Sequence, residues 1–208
     1  MDKLMKLFIS QKDSLLSLHR LDIRTYSSLE SIDALHGFTC HEITNRNCDK
    51  LTSLLGSFPY LERLEIRNCP SLETILCSDN LTALSSLKIY SCDGLISKLS
   101  ELASLTKLRR LEVGEFCKEL DSFPVIPQLE TLMLSGWPKL KSLHEQIQHF
   151  TSPTSLTISS FDEVEALPEW LGSLSSLTVL DIELCHNLKY LPSRQAMQRL
   201  TKLRSLYI

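Results

Sequence analysis

The motif Leu-x-x-Leu-x-Ile-x-x-Cys-x-x-Leu-x-x-Leu recurs along this chain, and its clearest copies run Leu61, Leu64, Ile66, Cys69, Leu72, Ile75 and Leu177, Leu180, Ile182, Cys185, Leu188, Leu191. Taking the first residue of each Leu-x-Ile core as a marker gives Leu21, Ile43, Leu64, Leu87, Leu111, Leu132, Leu156, Leu180 and Leu206. Successive markers lie 21 to 26 residues apart. A fixed period of this length is the signature of a stacked repeat, because one such unit cannot bury its own apolar face.

In each core the two apolar residues point the same way, as period-two strand geometry requires. Their neighbours face the opposite side and are mostly polar, as with Arg20, Asp22 and Arg24 or Arg63, Glu65 and Arg67. The later Cys and Leu positions are three residues apart, a spacing that suits a chain curving around a core. The expected fold is an α/β leucine-rich-repeat solenoid, or horseshoe, of about nine repeats. Its concave face would be a parallel β-sheet, and its convex face short helices or irregular turns. Helix-like connections are expected over 97–108, 144–150, 168–174 and 193–200, the last with Ser193 as N-cap after Pro192.

The copies differ at informative places. The Cys position holds Tyr26, Cys48, Cys69, Cys92, Trp137, Phe161 and Cys185. Copy two has Asn45 where Ile belongs, which predicts a weak coil or a polar, hydrogen-bonded gap. Copy five reads as carrying one extra residue, running from Val113 to Cys117, Leu120 and Phe123-Pro124. Copy seven opens with Pro153 instead of Leu.

No composition break marks a linker, so residues 1–208 read as one repeat domain. The ends, Leu4-x-x-Leu7-x-Ile9 and Leu203-x-x-Leu206-x-Ile208, resemble uncapped strands, which points to a fragment of a longer protein. A net charge of −3 gives no global pull toward nucleic acid or an anionic membrane. No apolar run approaches the length of a spanning helix. Four of seven cysteines sit in the interior slot of separate coils, where Cys acts as a small hydrophobe, so a reducing intracellular compartment is expected. The sequon Asn80-Leu81-Thr82 matters only in the secretory pathway.

The residue patterns of catalysis are missing. The histidines of His144-Glu145-Gln146-Ile147-Gln148-His149 are five apart, not the four that would place them on one helical face around zinc. No Cys-x-x-Cys pair, phosphate-binding loop or Gly-x-Ser-x-Gly elbow occurs, so no metal, cofactor or catalytic residue is expected. What remains is surface. Between Leu and Ile the columns carry Asp22, Thr44, Glu65, Lys88, Glu112, Met133, Thr157, Asp181 and Tyr207; after Ile they carry Arg24, Arg46, Arg67, Tyr90, Gly114, Ser135, Ser159 and Glu183. Arg24, Arg46 and Arg67 would form a ladder of like charges, which Asp22, Glu42 and Glu65 can offset. From Ser142 to Leu188 there is no Lys or Arg, and seven acids fall there. A neutral stretch between opposite charges suits a protein partner better than nucleic acid, which wants a continuous basic track. The expected protein-binding residues are Arg24, Arg46, Arg67, Tyr90, Met133, Asp181 and Glu183.

Three stretches carry a family resemblance: Ala166-Leu-Pro-Glu-Trp-Leu-Gly-Ser-Leu-Ser-Ser-Leu177, then Leu180-Asp-Ile-Glu-Leu-Cys-His-Asn-Leu-Lys-Tyr-Leu-Pro192, and Leu61-Glu-Arg-Leu-Glu-Ile-Arg-Asn-Cys-Pro-Ser-Leu72. They resemble the repeats of plant nucleotide-binding leucine-rich-repeat disease resistance proteins. Extracellular plant receptors favour Asn at the Cys position and a Gly-x-Ile-Pro turn. Ubiquitin-ligase F-box adaptors usually lack the Leu-Pro ending found here at Leu167-Pro168 and Leu191-Pro192. The resemblance implies a cytoplasmic, or also nuclear, recognition module that senses a pathogen effector or a host guard target and restrains a nucleotide-binding switch. The switch module is not in this sequence, so ATP/ADP exchange is not carried over. The alternatives are a stand-alone adaptor recruiting ubiquitination substrates and a truncated, non-functional receptor fragment.

Overall fold

The computed structural model describes residues 18–32, 39–54, 58–75, 81–116, 123–136 and 141–208. The chain divides into two compact units, 1–107 and 108–208. In the first, β1 (Arg20–Arg24), β2 (Glu42–Arg46), β3 (Arg63–Arg67) and β4 (Ser86–Tyr90) lie side by side and parallel. In the second, β5 (Arg110–Gly114), β6 (Thr131–Ser135), β7 (Ser155–Ser159), β8 (Val179–Glu183) and β9 (Ser205–Tyr207) do the same. Both units follow the leucine-rich-repeat solenoid plan.

The register is the one the markers predict. Leu21 pairs with Ile43, Ile43 with Leu64 and Leu64 with Leu87; Leu111, Leu132, Leu156, Leu180 and Leu206 are likewise in line. Every marker from Leu21 to Leu180 is buried, and so is its partner two residues on. Alternation at period two thus gives an inward aliphatic layer and an outward polar one. Pro153 is also buried, in the place Leu holds elsewhere.

How the chain leaves each strand explains the rest of the motif. The residue directly after each of β1 to β8 has positive φ: Thr25, Asn47, Asn68, Ser91, Glu115, Gly136, Ser160 and Leu184, between +37° and +61°. This left-handed residue turns the chain inward, and the next side chain drops into the core at Cys48, Cys69, Cys92, Phe116 and Phe161. Where that side chain is Cys, its thiol donates to the carbonyl two residues back: Cys48 to Arg46 O at 3.7 Å, Cys69 to Arg67 O at 3.3 Å, Cys92 to Tyr90 O at 3.2 Å and Cys185 to Glu183 O at 3.4 Å. Burial holds the Cys185 thiol above the usual range, which keeps the donor proton in place. Three residues further on, an N–H closes a tight turn on the slot residue's carbonyl, as in Leu51 to Cys48, Leu72 to Cys69 and Leu188 to Cys185. The three-residue spacing of Cys and Leu is the length of that turn.

Copy five corrects the sequence reading. Glu115 carries the positive φ (+58°), so the slot residue is Phe116, fully buried, and no residue is inserted before it. Cys117, the next residue, draws the slot assignment in a sequence read for Cys, and it lies outside the described residues. Tyr26 also departs from a buried slot, at 40% exposed. Trp137, Asn80 and the strand-like Leu4–Ile9 lie outside the described residues.

The connections are short and mostly 3-10. One spans Asp93–Ser104, starting four residues before the expected position and burying Leu95, Leu99 and Leu102. Others cover Glu145–His149 and Glu169–Ser173. The helix α1 (Arg194–Gln198) is capped by Ser193, whose hydroxyl accepts from Ala196 N at 3.2 Å. Ser193 in turn donates from its N and Oγ, each at 2.6 Å, to the Glu169 carboxylate one coil earlier. The N-cap read from the sequence therefore also ties two coils together.

Asn45 sits between Ile23 and Ile66 in the inner row, with no exposure. Neither its Oδ1 nor its Nδ2 has a hydrogen-bond partner among the described residues. The expected hydrogen-bonded gap is thus not found among the described residues, and a buried, unpaired amide costs about 1–3 kcal/mol. Asn45→Ile, which completes the aliphatic row, is expected to stabilise the chain by about 1–3 kcal/mol, seen as a higher denaturation midpoint. Conversely, Leu64→Asp or Leu180→Asp is expected to abolish cooperative unfolding and lose the folded circular-dichroism signal, because each buries a carboxylate with no partner.

Candidate protein-binding face

The outward columns of the first unit gather charge. Arg24, Arg46 and Arg67 are in register on β1, β2 and β3, with Tyr90 next in line on β4. Strands about 4.8 Å apart would make bare guanidinium neighbours repel. The acids resolve this by sharing. Glu65 Oε1 accepts from Arg46 Nη2 and from Arg67 Nε, both at 2.7 Å. Glu42 lies between Arg20, at 3.6 Å, and Arg63, at 3.2 Å, on the two flanking strands. Asp22 is bound by Arg24, at 2.5 to 3.0 Å.

Each of these side chains keeps a different share of solvent. The Arg24 side chain is 61% exposed, Arg46 38% and Arg67 36%, against 18% for Glu65. Exposed ion pairs contribute only about 0–1 kcal/mol each, so their effect here is geometric: they hold the guanidiniums in fixed positions. Tyr90 differs from the expected exposed residue. Only 5% of it is accessible, and the Arg67 guanidinium lies over its ring, 4.2 Å from the centroid. Tyr90 therefore acts through Arg67, as the platform of a cation–π contact. Thr44, between Asp22 and Glu65, is covered as well.

In the second unit the columns are mostly neutral. Met133 pairs with Thr157 and is half-buried, and Ser135 pairs with Ser159. Gly114 is bare for a steric reason: a Cβ there would overlap the Ser135 carbonyl. On β8, Asp181 is half-buried and Glu183 exposed. These two line a shallow hollow with Leu184, Tyr207 and Ile208; the outward columns read from the sequence include Tyr207, but only the two acids are among the expected binding residues. Leu184 is the surprise, a 63% exposed leucine at a positive-φ position that other coils fill with Thr, Asn, Ser, Glu or Gly. Its signal in the sequence was its place directly before Cys185. Arg24, Arg46, Arg67 and Tyr90 thus come together in the first unit, and Met133, Asp181 and Glu183 belong to the second.

The histidines that superficially suggest a zinc site have another use. His144 caps the 3-10 helix, its Nδ1 accepting from Gln146 N at 3.2 Å. Among the described residues no group of three or more His, Cys, Asp or Glu side chains is placed to hold a metal ion. Nor is any described helix long and apolar enough to cross a membrane.

Glu65 gives the face a pH dependence. Partial burial works to raise its carboxyl, but the hydrogen bond and charge of Arg67, with the charge of Arg46, outweigh it and hold Glu65 below the ordinary range. The folded value lies below the unfolded one, so the stabilisation is complete above about pH 4.3 and is lost as pH falls through the depressed folded value. Glu65→Gln is therefore expected to lower the melting temperature at pH 7 and to narrow its gap from the wild type at pH 3. An equal gap at both pH values would remove Glu65 from this role.

No protein-family model matches the chain. Curated relatives do. TMV resistance protein N of Nicotiana glutinosa is 29% identical over 173 residues, covering 79% of this chain and 15% of that protein. Disease resistance protein RPS4B of Arabidopsis thaliana is 30% identical over 186 residues, covering 69% of this chain and 16% of that protein. Putative disease resistance protein At3g14460, also of Arabidopsis thaliana, is 37% identical over 103 residues, 47% of this chain and 7% of that protein. The chain thus spans about one sixth of the length of the first relatives it matches. It is a leucine-rich-repeat chain homologous to plant nucleotide-binding leucine-rich-repeat disease resistance proteins.

Proposed function

We propose that this chain is the protein-recognition module of a plant intracellular immune receptor. In this reading it works in the cytoplasm, senses a pathogen effector or a host target, and restrains the nucleotide-binding switch of the receptor that carries it. The reading is non-enzymatic: the chain contributes contact surface and holds no cofactor. The observation that carries it is the strand register, which sets outward side chains in continuous columns within each unit. A rigid sheet face of this kind presents side chains without the entropic cost of ordering loops.

Arg24, Arg46 and Arg67 would contribute charged anchors, since Arg is enriched at interface hot spots. Met133 would contribute an adaptable apolar contact, and Asp181 and Glu183 an acidic one. The names of the relatives, disease resistance proteins, support the immune setting.

The test is capture of the nucleotide-binding module of the same receptor by the full chain. Met133→Arg with Thr157→Arg, two half-buried positions in the outward columns, is expected to reduce capture at least about tenfold, the effect of losing roughly 1.4 kcal/mol, while the folded circular-dichroism signal is retained. Undiminished capture by that folded variant would rule out the outward sheet face as the docking surface.

A further inference from the structure

On the first unit's outward face, each shared carboxylate leaves a cation over. Glu42 serves two guanidiniums, Arg20 and Arg63, and Glu65 serves two, Arg46 and Arg67. Among the described residues, one positive charge therefore stays uncompensated in each cluster. The clusters sit at opposite ends of the strands: Arg63 opens β3 and Arg67 closes it, four residues later. At about 3.3 Å per residue that separation is roughly 13 Å. The guanidiniums are anchored yet accessible, with side-chain exposures of 36% to 60%. Arg67 is further fixed by the buried Tyr90 ring. Arginine forks held in place match a carboxylate's two oxygens and lose little freedom on binding one.

From this geometry we infer that the face formed by β1 to β3 binds an extended acidic segment of a protein partner, lying along the strands with carboxylates four residues apart. In an extended chain, residues i and i+4 point the same way and span the same roughly 13 Å. Residues i and i+3 point to opposite sides. One carboxylate meets the Arg20–Arg63 cluster and the other the Arg46–Arg67 cluster. The inference rests on the docking reading above and adds to it the chemistry and spacing of the partner. Overall charge does not account for it, because the whole chain is itself acidic, at −3.

The test is a nuclear magnetic resonance titration of the full, isotope-labelled chain with two synthetic peptides of equal charge and composition. One has glutamates at i and i+4, the other at i and i+3. The first is expected to bind at least about threefold tighter, shifting the resonances of β1 to β3, with the preference shrinking at high salt. Arg46→Glu with Arg67→Glu should erase the preference, and Arg46→Gln with Arg67→Gln, which removes the charge without reversing it, should weaken it. Arg199→Glu with Lys202→Glu, in the other unit, should leave it intact. Equal binding of both peptides, or a preference that survives in Arg46→Glu with Arg67→Glu, overturns the inference. So does binding only when the glutamates are replaced by phosphoserine. If those failures occur while Met133→Arg with Thr157→Arg still loses the nucleotide-binding module, the acidic-segment assignment falls and the docking reading stands.

Discussion

The structure depends on the turn that follows each strand. A five-residue strand cannot bury both its own Leu-x-Ile pair and the side chain three residues later unless the backbone reverses its curl between them. The left-handed residue after each of β1 to β8 supplies that reversal. It costs about 1–2 kcal/mol in an ordinary L-residue, a cost that Gly136 avoids and that Asn47 and Asn68 bear more easily than the others. The inward turn then fills the core with Cys or an aromatic ring, and the following N–H closes the chain on the slot carbonyl. Leucine layers, thiol donors and outward columns all inherit their positions from this one device.

The same device sets what the surface can do. Because each strand begins and ends at the same register, polar side chains align into columns, and charges that are 21 or 22 residues apart in sequence become neighbours. Repulsion among aligned arginines is relieved by acids placed between them, and the sharing of Glu65 by Arg46 and Arg67 is the clearest instance. Such pairs stabilise little at this exposure. Their consequence is order: guanidiniums that would otherwise sample many rotamers are held at fixed points, which suits recognition more than folding.

Two residues stand against the local rules, and their positions differ in kind. Asn45 breaks the aliphatic row and leaves an amide unpaired among the described residues, a cost with no visible return in the first unit. Leu184 combines a left-handed backbone with 63% exposure. It adjoins Asp181, Glu183 and Tyr207, where an exposed apolar side chain adds contact area beside charge. The residues that line the hollow all belong to the second unit.

Much was legible in the chain as written. The repeat period, the inward Leu-x-Ile pairs, the in-line Arg24, Arg46 and Arg67, and Ser193 as an N-cap all follow from spacing, because alternation along a strand and capping at a helix start are local effects. Phe116 was missed because its slot is recognised by the left-handed residue before it, and a Glu there gives no hint. Tyr90 was read as exposed because alternation gives the side a residue faces and not what lies over it. Whether Glu65 serves one arginine or two, and whether Asn45 finds a partner, were likewise beyond the sequence. Those outcomes depend on side chains from coils some 22 residues apart, whose contacts exist only once the coils have stacked.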